Sequence, residues 1–311
     1  MIGASFNDAR YWLNNRRSGK PFFSFIHGYD VHGPFGSSAS IKERKRFIGS
    51  YSGVLKNDKF ILNAKKDPQN YGKDRVYVFE RLDRSNGNWV LHTANGTIKL
   101  DQKDVEYIRA MYDAGVYHAD KEIGQFLDYL KKNGLYEDSI IVITSSHGEM
   151  VAQRQLLDKT YIGHTTPYIG NIKVPFIIKF PGVGHRVIDK QVQTFDLLPT
   201  LMDYSGIVQN ATMQKRIQGK SLMPLINGKK GKKYYDPYAY SMLPVAVVTQ
   251  KWSFVPLENF PAFGSQLFDL QKDPEQKNNL IDKRPLKASE LRRKMREWEL
   301  KNWRLRNEIY G

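Results

Sequence analysis

Two histidine-bearing segments each follow an apolar run, the arrangement expected of a catalytic site at the edge of an α/β sheet. His147 and Glu149 come directly after the β-branched run 139–144, and His32 follows the apolar run 21–26. Short apolar runs bounded by turn residues predict buried parallel strands. Ligands collect beyond the carboxyl ends of such strands. A histidine in that place suits proton transfer, because imidazole titrates near neutral pH.

The elements that must position these residues alternate between helices and strands. Helical periodicity and short apolar runs predict helices over 7–17, 101–133 and 195–206 and strands over 21–26, 139–144 and 174–180. A polar loop is expected to follow the central strand as far as His164. This order predicts an α/β fold with a mostly parallel sheet flanked by helices.

Two features divide the chain. Residues 44–100 are irregular and end in a hairpin pattern around Asn95-Gly96, so they are predicted to be an insertion. The basic link 229–233 is predicted to be a domain boundary. Residues 1–228 would then form an α/β domain, and 229–311 a small α+β subdomain with an antiparallel sheet and a closing basic helix.

Composition excludes several classes of protein. The 311 residues contain 41% hydrophobic residues, which indicates a globular chain with a large core. Cysteine is absent, which excludes disulfides, thiolate metal sites and a cysteine nucleophile. No apolar run is long enough to span a bilayer, and the first residues do not resemble a signal peptide. The net charge of +16 favours polyanionic partners, but no nucleic-acid module is recognisable, so nucleic acid is not expected.

Six motifs, taken in order, resemble those of the sulfatases of the alkaline-phosphatase superfamily. Pro21-Phe22-Phe23 through Asp30-Val31-His32 is similar to the "PFF … D-P-H-x-P" segment, and 141–149 to "I-V-x-T-S-D-H-G-E". The other four segments are 163–175, 196–207, 218–222 and 267–280. The last three are similar to "D-L-x-P-T-L … G-I", "Q-G-x-S-L" and "L-Y-D-L-x-x-D-P-x-E-x-x-N-L". The resemblance therefore runs through nearly the whole chain and implies the superfamily's α/β fold, incomplete at the N-terminus.

The resemblance implies hydrolysis of sulfate esters by a hydrated formylglycine, with a divalent cation, usually calcium, at the site. It implies that His32 contacts the sulfate and the leaving group and that His164 binds the sulfate. Lys159 is the alternative sulfate contact. It places His147 and Ser146 at the metal. A structural histidine is the alternative for each, and His27, His92 and His185 match no motif.

The sequence departs from the family pattern at the nucleophile and at the metal. No segment has the C/S-x-P/A-x-R pattern from which formylglycine is made, and the family's two adjacent metal-binding aspartates have no counterpart here. Ser146 stands where the family has a metal-ligating aspartate, and a hydroxyl is a poorer ligand for calcium than a carboxylate. The isolated chain is therefore predicted to have no formylglycine-dependent sulfatase activity.

Two other functions stay open. One is a phosphodiesterase or phosphotransferase of the same superfamily, which would use a Ser or Thr nucleophile and two zinc ions. The other is a non-catalytic relative that binds sulfated glycans or other polyanions through its basic surface. If the chain is part of a sulfatase, the implied partners are a sulfated small molecule or glycan and a missing N-terminal sulfatase segment. Family resemblance implies a periplasmic or extracellular location.

Overall fold

The computed structural model describes residues 1–17, 19–32, 38–55, 81–85, 88–93, 96–156, 159–163, 167–228, 239–240, 246–256 and 264–310. Contacts divide the chain into two compact units. The first unit comprises Met1–Ser139 and Glu149–Gly163, and the second comprises Ile140–Gly148 and His164–Gly311. The predicted boundary at 229–233 lies outside the described residues, so the division into 1–228 and 229–311 stays a prediction.

The helices among the described residues of the first unit are α1 (Ile2–Asn15), α2 (Ile41–Ile48) and α3 (Gln102–Lys132). The prediction of a long helix over 101–133 is confirmed. The side chains of Asp101 and Asp104 each accept the other residue's backbone N–H at 2.9 Å, a reciprocal cap that satisfies two donors at the start of α3. Gly134 follows the helix with φ of 65°, the left-handed conformation that glycine adopts at low cost.

The strands that the structure describes are, in chain order, β1 (Arg81–Ser85), β2 (Asn88–Thr93), β3 (Gly96–Leu100), β4 (Ile141–Thr144), β5 (Met150–Leu156), β6 (Lys159–Gly163), β7 (Phe176–Lys179), β8 (Ala239–Tyr240), β9 (Val247–Val248), β10 (Trp252–Val255) and β11 (Gln266–Asp269). The first unit holds a five-stranded sheet in the order β3-β2-β1-β6-β5. The hairpin predicted before Leu100 is confirmed, because β2 pairs antiparallel with β3. The apolar cluster beside it contains Leu55, Leu100, Val105, Ile108, Met111 and Val151.

The second unit contains α4 (Ile169–Ile172), a 3-10 turn (Thr194–Asp196), α5 (Leu197–Tyr204), α6 (Ala211–Arg216), α7 (Met223–Ile226) and α8 (Pro285–Tyr310). The small C-terminal antiparallel sheet is confirmed, with the order β11-β10-β9-β8. Phe254 and Leu267 of this sheet are fully buried and pack against Leu291 and Met295 of α8. Among the described helices, none is both long and apolar enough to cross a membrane.

The prediction of a buried strand over 21–26 is wrong. This segment is extended but forms no strand, and the side chains of Phe23 and Phe25 are 83% and 80% exposed. A strand with two apolar faces is buried only when neighbouring strands pair with it and other elements cover it. Within the described ranges, no strand pairs with residues 21–26.

The strand pairing also differs from the prediction of a mostly parallel sheet, since the described strand pairs are antiparallel. β4 and β7 pair antiparallel, from Ile141 opposite Lys179 to Thr144 opposite Phe176. A parallel pair needs a long crossover, usually a helix, whereas the described connection between β4 and β7 consists of two strands and one helical turn. The polar loop expected after β4 contains β5 and β6, so this part of the prediction was wrong.

Two of the sequence motifs are joined by hydrogen bonds in the second unit. Asp196 is fully buried and accepts the backbone N–H of Gln193 at 2.8 Å and of Lys220 at 2.9 Å. Thr200 Oγ1 donates to the carbonyl of Asp196 and accepts the N–H of Leu222 at 2.9 Å. The segments 196–200 and 218–222 therefore form one hydrogen-bonded unit, which we call the clip. Its hydrogen bonds explain why the first segment has a carboxylate at Asp196 and a hydroxyl at Thr200.

Candidate functional site

The turn that carries His32 is fixed within the first unit. The N–H of His32 donates to the carbonyl of Tyr29 at 3.1 Å. Asp30 is 3% exposed, and its Oδ2 accepts the N–H of Ile2 at 2.5 Å. Its carbonyl accepts the hydroxyl of Ser38 at 3.1 Å. His32 itself is half-buried, and the turn attaches its backbone to the start of α1 and to the segment before α2.

A charged cluster lies beside this turn, and the sequence reasoning did not identify it. The carboxylate of Glu43 is close to Nδ1 of His118 at 3.3 Å and to Nζ of Lys121 at 2.9 Å. Glu43 also caps α2 by a reciprocal pair of hydrogen bonds with Ser40. The pattern Ser40-x-x-Glu43 is a recognisable capping box, so the sequence contained a signal for this carboxylate but none for its contact with His118.

Opposing effects determine the pKa of Glu43. Burial alone would raise it, but hydrogen bonds from Lys121 and Ser40, together with the charge of His118, lower the pKa from 4.5 to about 2. Glu43 is therefore anionic at all but strongly acidic pH. A negative charge of α2 therefore faces His118 and Lys121 of α3.

The loop that carries Ser146 and His147 is fixed within the second unit. Ser145 Oγ donates to the carbonyl of His147 at 2.7 Å, and the N–H of Gly148 donates to the carbonyl of Asn171 at 2.7 Å. Nδ1 of His147 lies 2.7 Å from the carbonyl of Gly148. This contact places the proton of the neutral ring on Nδ1 and its lone pair on Nε2. Ser146 is exposed.

Gly148 is required by a close approach of two backbone segments. A Cβ atom at this position would lie 2.1 Å from the carbonyl oxygen of Gly170, far inside van der Waals contact. The glycine after His147 in the motif is therefore explained by packing against the start of α4. The loop can follow its path only without a side chain at this position.

The remaining predicted site residues are placed only in part. The backbone of Lys159 begins β6 in the first unit. His164 lies outside the described residues. The structure thus describes His32 and Lys159 in one unit and Ser146 with His147 in the other, and the roles assigned to these residues stay predictions.

The described residues do not fit a calcium ion. Calcium takes six to eight oxygen ligands, mainly carboxylates and carbonyls, whereas Ser146 offers a hydroxyl and His147 a nitrogen. Within the described ranges, no group of three or more His, Cys, Asp or Glu side chains is placed to hold a metal ion. Any metal chemistry would need ligands beyond these residues.

Replacing Ser146 with aspartate tests this mismatch. We expect millimolar calcium to leave the thermal unfolding of both the wild-type chain and Ser146→Asp unchanged, because one added carboxylate beside a histidine nitrogen falls far short of the six to eight oxygen ligands that calcium takes. Thr144→Asp, which adds the same charge at an exposed position of β4, is the control. A calcium-dependent shift in Ser146→Asp that the control lacks would contradict the prediction.

Comparisons with known proteins agree with the motifs. The family model "Sulfatase" matches residues 4–207, and the model "N-sulphoglucosamine sulphohydrolase, C-terminal" matches residues 156–304. Arylsulfatase K of Bos taurus is 28% identical over 219 residues, which are 66% of this chain and 39% of the relative. The chain thus spans well under half of that relative's length.

Two solved structures are also similar. A candidate sulfatase from Bacteroides thetaiotaomicron has a TM-score of 0.63 at 21% identity. The match covers 99% of this chain and 64% of the Bacteroides chain. A structure described as a 2-O GAG sulfatase has a TM-score of 0.52 at 26% identity. That match covers 64% of this chain and 44% of the other chain. The fold class is thereby confirmed as sulfatase-like α/β with a small C-terminal sheet. Since one family model alone matches more than half of the residues, this chain belongs to the sulfatase family.

Proposed function

We propose that this chain is part of a sulfate-ester hydrolase and that it cannot complete the reaction alone. The match of the sulfatase model to residues 4–207 carries the proposal. Hydrolysis adds water across the S–O bond of the ester and releases sulfate and an alcohol. The sequence has neither the formylglycine pattern nor the paired aspartates, so the nucleophile has to come from a segment outside these residues.

The role we assign to His32 is proton transfer to the leaving alcohol. As the S–O bond breaks, negative charge develops on the leaving oxygen, and a proton from the imidazole neutralises it. The anchored turn suits this role, because Asp30 and the contact with Tyr29 fix the backbone at His32. Lys159 and His164 are proposed to hold the sulfate by positive charge.

The missing partner is proposed to be an N-terminal sulfatase segment. Support comes from Phe23 and Phe25, which are exposed although their sequence is typical of a buried strand. An extended segment with apolar side chains and unpaired edges is a ready template for a further strand. The proposed substrate class is a sulfated glycan, which is supported by the similarity to the 2-O GAG sulfatase.

An assay with an aryl sulfate in the presence of calcium tests the proposal. We expect no turnover by the chain alone, and turnover when it is joined to the N-terminal segment of a formylglycine sulfatase. In the joined enzyme, His32→Ala should lower kcat about 10²- to 10⁴-fold, the usual contribution of a general acid. His185→Ala, at an exposed histidine outside the motifs, should leave kcat unchanged.

Two outcomes would overturn the proposal. Turnover by the chain alone above that of His32→Ala would show that no further segment is needed. A joined enzyme that folds and carries formylglycine but does not hydrolyse sulfate esters would contradict the assignment. If such a protein binds heparin with an affinity that falls as salt rises, the non-catalytic polyanion-binding function is favoured instead.

A further inference from the structure

His118, on α3, lies between two buried carboxylates of the first unit. Its Nε2 is 3.9 Å from Oδ1 of Asp30, and its Nδ1 is 3.3 Å from Oε2 of Glu43. The side chains of Asp30 and Glu43 are only 2% and 8% exposed, and that of His118 is 15% exposed. The imidazole therefore stands in a desolvated site with an acidic group at each ring nitrogen.

In the sequence, one of the two carboxylates precedes His32 and the other follows it. Asp30 precedes His32 by two residues and is held to α1 through the N–H of Ile2. Glu43 follows it by eleven residues and caps α2 through Ser40. A single side chain of α3 thus contacts the segment that carries His32 both before and after that residue.

The carboxylate of Asp30 needs a nearby positive charge. Its Oδ1 is buried and has no hydrogen-bond partner among the described residues. A buried carboxylate without compensation is costly, because the charge has lost its water. Glu43 has Lys121 as a second partner at 2.9 Å, whereas for Oδ1 of Asp30 the ion pair with His118 is the compensation that the structure provides.

We propose that His118, protonated on both ring nitrogens, is a positioning residue that holds the His32 turn by pairing with Asp30 and Glu43. The inference relies on the proposed function only for the role of His32 in hydrolysis. A neutral imidazole has one N–H donor, and only the imidazolium has two. The charged ring can therefore donate to Glu43 and form an ion pair with Asp30 at the same time.

A dependence on pH follows from the groups that face His118. Asp30 from the His32 turn and Glu43 from α2 are both acidic, and Lys121 of α3 shares Glu43 with the ring. Acidic conditions maintain the double contact. As the pH rises and the ring loses one proton, one of the two N–H donors is lost. The turn is then held less firmly at alkaline pH.

Selective labelling of histidine with ¹⁵N in the full chain tests the proposal, with each signal assigned by single substitution. The ring nitrogens of His118 should show two bound protons at about pH 5.5, on the acidic side of ordinary imidazole titration. Exchange of the His32 backbone N–H with water, measured by magnetisation transfer, should be about tenfold faster in His118→Gln than in the wild type at that pH. At an alkaline pH at which the same spectra show a single proton on the wild-type ring, the ratio of the two rates should fall towards one, because the second N–H donor is then lost.

His185→Gln is the matched control and should leave the His32 exchange rate unchanged at both pH values. A His118 ring with a single proton at the acidic pH would overturn the proposal, and this result can be read from the wild type even if His118→Gln does not fold. A rate ratio that is the same at both pH values would also overturn it, because a role in helix packing alone predicts that result. Neither measurement involves a sulfate ester, so failure of the hydrolysis assay would leave this test unaffected.

Discussion

Replacing Gly148 with alanine is expected to lower the free energy of unfolding by about 3 kcal/mol or more, since the added methyl group overlaps a backbone atom that cannot rotate away. The new Cβ would lie 2.1 Å from the carbonyl oxygen of Gly170. Relief requires the loop with Ser146 and His147 to move away from α4, which breaks the hydrogen bond between the N–H of Gly148 and the carbonyl of Asn171. Urea unfolding of the wild type and of Gly148→Ala measures the difference in the free energy of unfolding.

Gly184→Ala supplies the control for this experiment. Gly184 belongs to the same unit, and no atom lies within 4 Å of the position that its Cβ would take. Alanine there should change the free energy of unfolding by less than about 1 kcal/mol, because only the freedom of the unfolded chain is reduced. If Gly148→Ala were as stable as Gly184→Ala, the close approach to Gly170 would not exist in the folded protein.

Replacing Asp196 with alanine is expected to cost about 2–5 kcal/mol, because two backbone N–H groups lose their hydrogen bonds to a fully buried, charged acceptor. These are the N–H groups of Gln193 and Lys220, which bond to the two carboxylate oxygens. The change would open the clip between 196–200 and 218–222. Thermal unfolding of the variant should therefore begin at a clearly lower temperature.

Asp196→Asn refines this test. The amide retains one acceptor oxygen, so it should bond to one of the two N–H groups and lose less stability than alanine. Asp189→Ala removes the same charge from an exposed side chain and should stay within about 0.5 kcal/mol of the wild type. Equal losses in the Asp189 and Asp196 variants would show that net charge, and not the clip, causes the effect.

The sequence motifs indicated the family, but their physical meaning came from the structure. The segment from Asp196 to Thr200 and the segment 218–222 looked like two separate signatures. Their side chains and backbone bond to one another, so the two segments are the halves of one structural feature. A pattern in sequence cannot show such pairing, because it contains no distances between remote residues.

The C-terminal motif has the same explanation. Asp273 accepts the N–H groups of Lys277 and Asn278 at 2.9 and 2.8 Å. The side-chain oxygen of Asn279 accepts the N–H of Leu267, in the buried strand β11. These residue types are therefore required by a turn and by its attachment to the sheet, which is a structural requirement and not a catalytic one.

Local patterns determined several helices and strands of this protein from sequence alone. The periodicity of 101–133 and its capping aspartates specify α3, because these interactions join residues three or four positions apart. The apolar residues of β10, β11 and α8 likewise specified a small antiparallel sheet with a helix. Interactions of this range can be read directly from the order of residues.

Only the tertiary structure decided which polar and apolar residues are partners. The run 21–26 has the composition of a buried strand, yet Phe23 and Phe25 are exposed, because burial requires neighbours that lie elsewhere in the chain or beyond it. The sequence does not distinguish His118 from the other residues of its helix. Its contacts with Asp30 and Glu43, which are 88 and 75 positions away, exist only in the folded chain. Residue types at the candidate site follow from sequence, but their contacts depend on packing over long separations, which no local pattern contains.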